Sequence, residues 1–287
     1  MCMVDFNGKL VAADSNFLNH GNRGLRYGDA LFETIRASNG TIYFWEEHYL
    51  RLMASMRMLR MEIPMNFTLE VLAESFTQVL NANNLSAQAA RIRFTVFRTV
   101  GGLYLPKSND IEYTIEAEPL ASPFYLLNEN NYEVELYKDF YVNPDMLSTL
   151  KTNNKILNVT GSIFASENGY ENCLILNTSK MVVEALNGNI FLVTGNTIKT
   201  PPLKDGCLNG IIRNKLIEIV SKTEDLELVE VSISPFELQK ADELFITNSI
   251  LGIQPISKYR KKEFESSVAK TLLGKLNALA RLTTKSI

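Results

Sequence analysis

Leu147–Phe191 reads LSTLKTNNKILNVTGSIFASENGYENCLILNTSKMVVEALNGNIF, and two of its residues sit oddly by ordinary packing rules. Lys151 stands in the segment LSTLKTNNKILN, and Glu184 is an isolated acid in the apolar run MVVEALNGNIF. A lysine becomes a nucleophile only when burial or a neighbouring cation lowers its pKa. A carboxylate among valines is costly to desolvate unless a cation meets it. Around the pair, LSTLKTNNKILN opens a helix through SIFASEN, which Gly169 stops, and the strands CLILNT, MVVEA and NIFLVTG follow.

Upstream, Asn7-Gly8 separates MVDF from KLVAA and Asn39-Gly40 separates ALFETIRA from TIYFW, two hairpin signals. Gly21, Gly24 and Gly28 between them break any helix and predict a loop. Their spacing is not that of a dinucleotide fingerprint, and the element that follows, ALFETIRA, alternates like a strand rather than opening a helix. EEHYLRLMASMRMLRMEIP then reads as an amphipathic helix with Leu50, Met53 or Ala54, and Met58 on one face. Arg51 falls close to that face, either snorkelling at the rim or aimed at a phosphate. His48, one turn earlier, reads as a packing or hydrogen-bonding residue. Arg91 and Arg93, two apart in the β-rich run AARIRFTVFRTV that Gly101-Gly102 ends, share a face that is either exposed or turned toward an anion.

From Pro119 on, PLASPFYLLNENN carries two prolines and no sustained period. The predicted organisation is a first domain over 1–119, a linker over 120–130 and a second domain over 131–287. In the second, Asn209 and Gly210 are cap residues for a helix from Ile211. The free N–H groups and partial positive charge of that helix start suit a phosphate. The buried strand in ADELFITNSILGIQPI ends in Thr247, Asn248 and Ser249, a cluster of hydroxyl and amide donors, and SVAKTLLGKLNALARL is a closing amphipathic helix.

The 287 residues are 46% hydrophobic and 21% charged, with a net charge of −3. That balance supports two cores and argues against a nucleic-acid partner held through phosphates. No apolar run reaches the ~20 residues of a membrane span, and no secretory leader is read at Met1. Three scattered cysteines and two histidines suit reduced thiols in a cytoplasm, with no metal centre. One small molecule answers both Lys151 and Glu184: pyridoxal phosphate, whose aldehyde traps an amine and whose protonated ring nitrogen pairs with a carboxylate.

In their order, YGDALFETIR, HYLRL, LKTNN with ENGYENCLIL, VVEALNGNIF, TPPL with LNGIIR, and DELFITNSILGIQPI resemble one family nearly end to end. It is the class IV pyridoxal-phosphate enzymes of fold type IV, which include branched-chain aminotransferases, D-amino acid aminotransferases and aminodeoxychorismate lyases. The resemblance implies a two-domain fold, with a small N-terminal α/β domain and a larger C-terminal domain whose mainly β core is flanked by helices. It also implies a homodimer. Lys151 becomes the Schiff-base lysine, because the family's spacing to the glycine before the next strand fits Lys151 with Gly169 and does not fit Lys155. Glu184 would pair with the pyridine nitrogen. Arg51, the N–H groups of Ile211 and Ile212, Asn248 and Ser249 would hold the cofactor and its phosphate. The family often has threonine where this chain has Ile212, so a hydroxyl contact is missing there and only the N–H can serve.

Substrate choice falls to Tyr27, Phe32 and Arg93, the last placed by resemblance near a substrate carboxylate. The D-specific enzymes carry an arginine and a histidine in the loop that here reads TVGGLYLP, with neither. FETIR resembles the transaminases, while the GG-x-Y of that loop and TNSILGIQPI resemble the lyases. The resemblance thus implies transamination between an L-amino acid, of branched-chain type in one reading, and a 2-keto acid. The alternative is release of pyruvate from aminodeoxychorismate to give 4-aminobenzoate for folate synthesis.

Overall fold

Both Asn-Gly pairs turn the chain. Asn7 and Gly8 (φ 52° and 81°) join β1 (Met3–Phe6) to β2 (Lys9–Ala12), and Asn39 and Gly40 (φ 50° and 77°) join β3 (Ala30–Ser38) to β4 (Thr41–Ile42). Two successive positive φ values match the twist of the flanking strands, and an asparagine followed by glycine adopts them at little cost. The computed structural model describes residues 2–282. It divides into a first unit of Met1–Phe124, Lys151–Asn154 and Ala280–Ile287, and a second of Tyr125–Leu150 and Lys155–Leu279.

In the first unit a short helix α1 (Arg23–Tyr27) replaces the expected glycine loop. Asn22 caps it by accepting from the Leu25 N–H at 2.9 Å, and Gly28 (φ 64°) ends it, so two of the residues that read as loop are helix boundaries. Gly24 lies inside, where a Cβ would stand 3.3 Å from that of Ala30. Helices α2 (Trp45–Met58) and α3 (Leu69–Ala82) precede β5 (Ala89–Arg98) and β6 (Ile111–Pro119). The six strands form an antiparallel sheet in the order β2-β1-β6-β5-β3-β4. Edge-to-face rings tie the helices to it: Trp45 to Phe76 at 4.7 Å, Phe76 to Phe94 at 5.5 Å and Phe94 to Tyr113 at 5.7 Å. Each such ring stabilises by about 1.5–3 kcal/mol when fully buried.

The buried face of α2 differs from the one expected. Leu50 and Met58 are exposed, while Trp45, His48, Leu52, Met53, Ser55 and Met56 face inward. Leucines and methionines surround this helix, so apolar spacing alone cannot set its phase. Trp45 and a polar cluster around His48 set it instead.

The second unit is built from β7 (Glu133–Val142), α4 (Ile156–Glu167), β8 (Asn172–Asn177), β9 (Val182–Ala185), β10 (Gly188–Thr194) and β11 (Thr197–Thr200). There follow α5 (Ile211–Ser221), β12 (Glu227–Glu230), α6 (Pro235–Leu238), β13 (Glu243–Asn248), β14 (Gly252–Ile256), β15 (Lys258–Tyr259), β16 (Lys262–Glu263) and α7 (Ser267–Leu282), of which the second unit holds the part up to Leu279. The strands run β12-β11-β10-β9-β8-β7-β15-β16, and β13 also pairs with β10 and carries β14. Strand β8 is buried on both faces. Leu174 and Leu176 join the main core, while Cys173 and Ile175 point to a second cluster with Ala165 of α4. Phe191 and Phe245 stack at 5.1 Å across β10 and β13.

Glu243, 2% exposed, accepts from the Ser267 hydroxyl at 2.8 Å and from the N–H groups of Val268 and Ala269 at 2.8 and 3.0 Å. A carboxylate at the positive end of α7 both caps it and meets its dipole. Replacing Glu243 with alanine is expected to cost about 1–3 kcal/mol, read as a thermal midpoint lowered by several degrees with the far-ultraviolet circular dichroism unchanged.

Candidate active site

Lys151 does not open a helix. It begins an extended strip, Lys151–Asn154, that runs beside the start of β3, and α4 begins only at Ile156. The Phe32 N–H donates to the Lys151 carbonyl at 2.9 Å, the Asn153 N–H donates to the Ala30 carbonyl at 3.0 Å, and Leu31 bridges Thr152. These bonds fix the lysine's backbone while its side chain reaches over β3, with Nζ 4.3 Å from the centre of the Phe32 ring.

One strand position further along lies Glu33, 1% exposed. It takes Arg51 Nε at 2.8 Å on Oε1 and Arg51 Nη2 on Oε2, while His48 Nδ1 lies 2.6 Å from Oε2. His48 and Arg51 are three apart on α2, so both reach the same strand residue. Burial alone pushes the Glu33 carboxyl up, but Arg51 and His48 outweigh it and hold it down at about 2. Burial lowers the pKa of His48 despite Glu33, so its ring is neutral and its Nδ1–H donates to the carboxylate.

Arg93 and Arg91 do share a face, and each meets a glutamate of β6. Arg91 Nη1 lies 3.0 Å from Glu118, and Arg93 Nε lies 3.7 Å from Glu116. The Arg93 guanidinium also lies 4.0 Å from the centre of the Phe32 ring and within 3.5 Å of the Asn153 amide oxygen. Phe32, Arg93 and Lys151 are thus brought together around one ring. Tyr27 ends α1 and packs on Tyr104, with ring centres 5.6 Å apart.

In the second unit, Glu184 on β9 accepts from the Leu208 N–H at 2.9 Å. Leu208 precedes α5 by three residues, and that helix is capped by Gly210 with no side-chain hydrogen bond at its start, where Ile211 and Ile212 lie. Asn248 shapes the turn after β13 by accepting from the N–H groups of Ile250 and Leu251 at 3.0 and 2.9 Å. Ser249 lies in that turn, and its carbonyl accepts from the Tyr125 hydroxyl at 3.1 Å. Among the described residues no cluster of His, Cys, Asp or Glu is placed to hold a metal, and no helix is long and apolar enough to cross a membrane.

Reading the sequence missed Glu33, Glu116 and Asn153. Glu33 had a signal: an acid inside ALFETIR, followed by two bases at helical spacing in HYLRL. Asn153 had none, because its meeting with Arg93 spans 60 residues.

Residues 30–259 match the family model described as amino-transferase class IV. A putative branched-chain-amino-acid aminotransferase of Methanocaldococcus jannaschii is 34% identical over 254 residues, covering 88% of this chain and 86% of the relative. A D-alanine aminotransferase of Staphylococcus epidermidis is 26% identical over 271 residues, covering 90% and 89%. A solved branched-chain aminotransferase from Thermoproteus uzoniensis with norvaline superposes with a TM-score of 0.87 at 26% identity, covering 99% of both chains. The chain belongs to the class IV aminotransferases. It is a transaminase of the type that uses pyridoxal phosphate, on the fold type IV architecture.

The Glu33 cluster has a pH signature. Its folded pKa lies below the ordinary 4.5, so the stability it contributes is present above pH 4.5 and is lost as pH falls toward about 2. His48 acts earlier, because below its ordinary 6.5 the unfolded chain takes up a proton that the folded ring resists. Glu33→Gln removes the buried carboxylate that Arg51 pairs with and is expected to cost about 3–5 kcal/mol at pH 7. Urea unfolding of wild type and variant should show that gap closing as pH drops below 4.5.

Proposed function

We propose that Lys151, Arg51, Glu184, Ile211, Ile212, Asn248 and Ser249 hold pyridoxal phosphate, and that Tyr27, Phe32 and Arg93 receive an L-amino acid of the branched-chain class. The observation that carries this is the Phe32 ring, with the Lys151 amine at 4.3 Å and the Arg93 guanidinium at 4.0 Å from its centre. An apolar surface beside an amine and a cation suits a substrate with an apolar side chain and a carboxylate. The branched-chain name of the 34% relative supports the same class.

The residues fit the cofactor by their chemistry. Arg51, with a side chain 9% exposed, has a guanidinium already oriented by Glu33. Helix α5 starts without a side-chain cap, and Glu184 presents a carboxylate whose one oxygen is held by a backbone N–H. Bound there, the cofactor supplies an aldehyde for the amino group and a ring that draws electrons from the Cα–H bond. Lys151 anchors it and, once released, carries the proton of Cα as general base. Glu184 keeps a proton on the ring nitrogen. Arg51 and the N–H groups of Ile211 and Ile212 hold the phosphate. Arg93 orients the substrate carboxylate.

The enzyme acts as a homodimer in a cytoplasm. An apolar stripe on α4, with Ile156, Val159 and Ile163 each more than half exposed, supports the first. Three free cysteines support the second.

Lys151→Ala should abolish the long-wavelength absorbance of bound cofactor and slow transamination by roughly 10²–10⁴-fold or more; an unchanged spectrum would overturn the assignment. In a substrate screen, glutamate should form from 2-oxoglutarate with leucine, isoleucine or valine. Faster turnover of D-alanine, or pyruvate release from aminodeoxychorismate without a keto acid, would overturn the substrate reading.

A further inference from the structure

Asn189, on β10, is 3% exposed and belongs to no role assigned above. It stands opposite Glu184 in the β9–β10 ladder and opposite Thr247 in the β10–β13 ladder. Its amide Nδ2 donates to the Leu208 carbonyl at 2.8 Å, 19 residues away. The N–H of the same residue, Leu208, donates to Glu184 at 2.9 Å. Two residues later Gly210 caps α5, and a Cβ there would stand 2.0 Å from Asn189 Oδ1. The amide nitrogen is therefore committed to Leu208, and the amide oxygen occupies the space that any side chain at position 210 would need.

We propose that Asn189 is a positioning residue that sets, through the Leu208 backbone, both the direction of the Glu184 carboxylate and the place of the α5 N-terminus. A carboxylate can swing about its last torsion, and the Leu208 N–H is what pins one of its oxygens. That N–H is only as well placed as its own residue, and Leu208 lies in a segment outside helix and strand, between the three-residue turn Leu203–Asp205 and α5. Asn189 anchors that segment to the centre of the sheet. This inference rests on the proposed roles of Glu184 and α5 toward the cofactor. It adds that the two are coupled, so one substitution disturbs both.

The test uses the full chain stripped of cofactor, with pyridoxal phosphate as titrant. Asn189→Ala, Asn189→Asp and Gly210→Ala are compared with wild type and Glu184→Gln. Asn189→Asp keeps the volume and sets a carboxylate against the Leu208 carbonyl; Gly210→Ala keeps the amide and displaces it. All three are expected to bind pyridoxal phosphate roughly tenfold more weakly, the scale of one buried hydrogen bond. The pH at which the bound-cofactor absorbance changes should move in the same direction as in Glu184→Gln. Unchanged affinity and spectrum overturn the proposal. So does an affinity loss that merely tracks a loss of thermal stability in the cofactor-free protein, with the pH profile of the absorbance unmoved. A wild type that binds no pyridoxal phosphate defeats the reading of Glu184 and α5 first, and this coupling with it.

Discussion

A carboxylate inside a sheet is tolerable only if its charge is met, and Glu33 pairs its charge with Arg51 and takes a further hydrogen bond from His48. Much of the first unit follows. The need to bring both bases over β3 sets the rotation of α2, buries Leu52 and Met56 beside them, and turns Leu50 and Met58 outward. The pair also lets a guanidinium stay buried before any ligand arrives. An arginine held this way loses little freedom on binding an anion, which is the usual source of affinity in a preorganised site. A solvent-exposed arginine of the same charge would have to be ordered at the moment of binding.

The second unit solves a similar problem with backbone. Glu184 is oriented by a peptide N–H, and the predicted phosphate site is a helix start rather than a basic side chain. Such groups carry no mark in the composition, which agrees with a chain whose net charge is −3 while its cofactor is an anion. In the first unit the buried Glu33 is met by long side chains, and in the second Glu184 is met by a backbone dipole. Substitutions in the first are therefore felt as lost charge, and those in the second as lost geometry.

Much of this was legible from residues alone, for reasons that can be named. The Asn-Gly turns, the alternating strands of both sheets and the start of α5 at Ile211 are local features, written within a few residues. The chemical oddity of Lys151 and Glu184 was also local. Three things were not. The phase of α2 depended on a partner in another element, Glu33. The short helix α1 was hidden by glycines that serve as a cap and a close approach. The extended course of Lys151–Asn154 depended on a strand far upstream, and its polar residues looked like a helix entrance.

That strip has a consequence for how the protein comes to be. Asn154 reaches Gly28 across 126 residues, and the Lys151 and Asn153 backbones pair with the start of β3. Contacts so distant in sequence are slow to form, because the loop they close is entropically expensive. A nascent chain that has finished β6 already holds Glu33, His48 and Arg51, but the amine arrives only after β7 has been made and the chain has doubled back. Assembly thus imposes a sequence of events: the Glu33–Arg51 pair is ready early, and the Lys151 amine is delivered late. A chain that ends at β6 already carries the Phe32 ring and Arg93, but the cluster around that ring is completed only when the strip that bears Lys151 has been made and laid against β3.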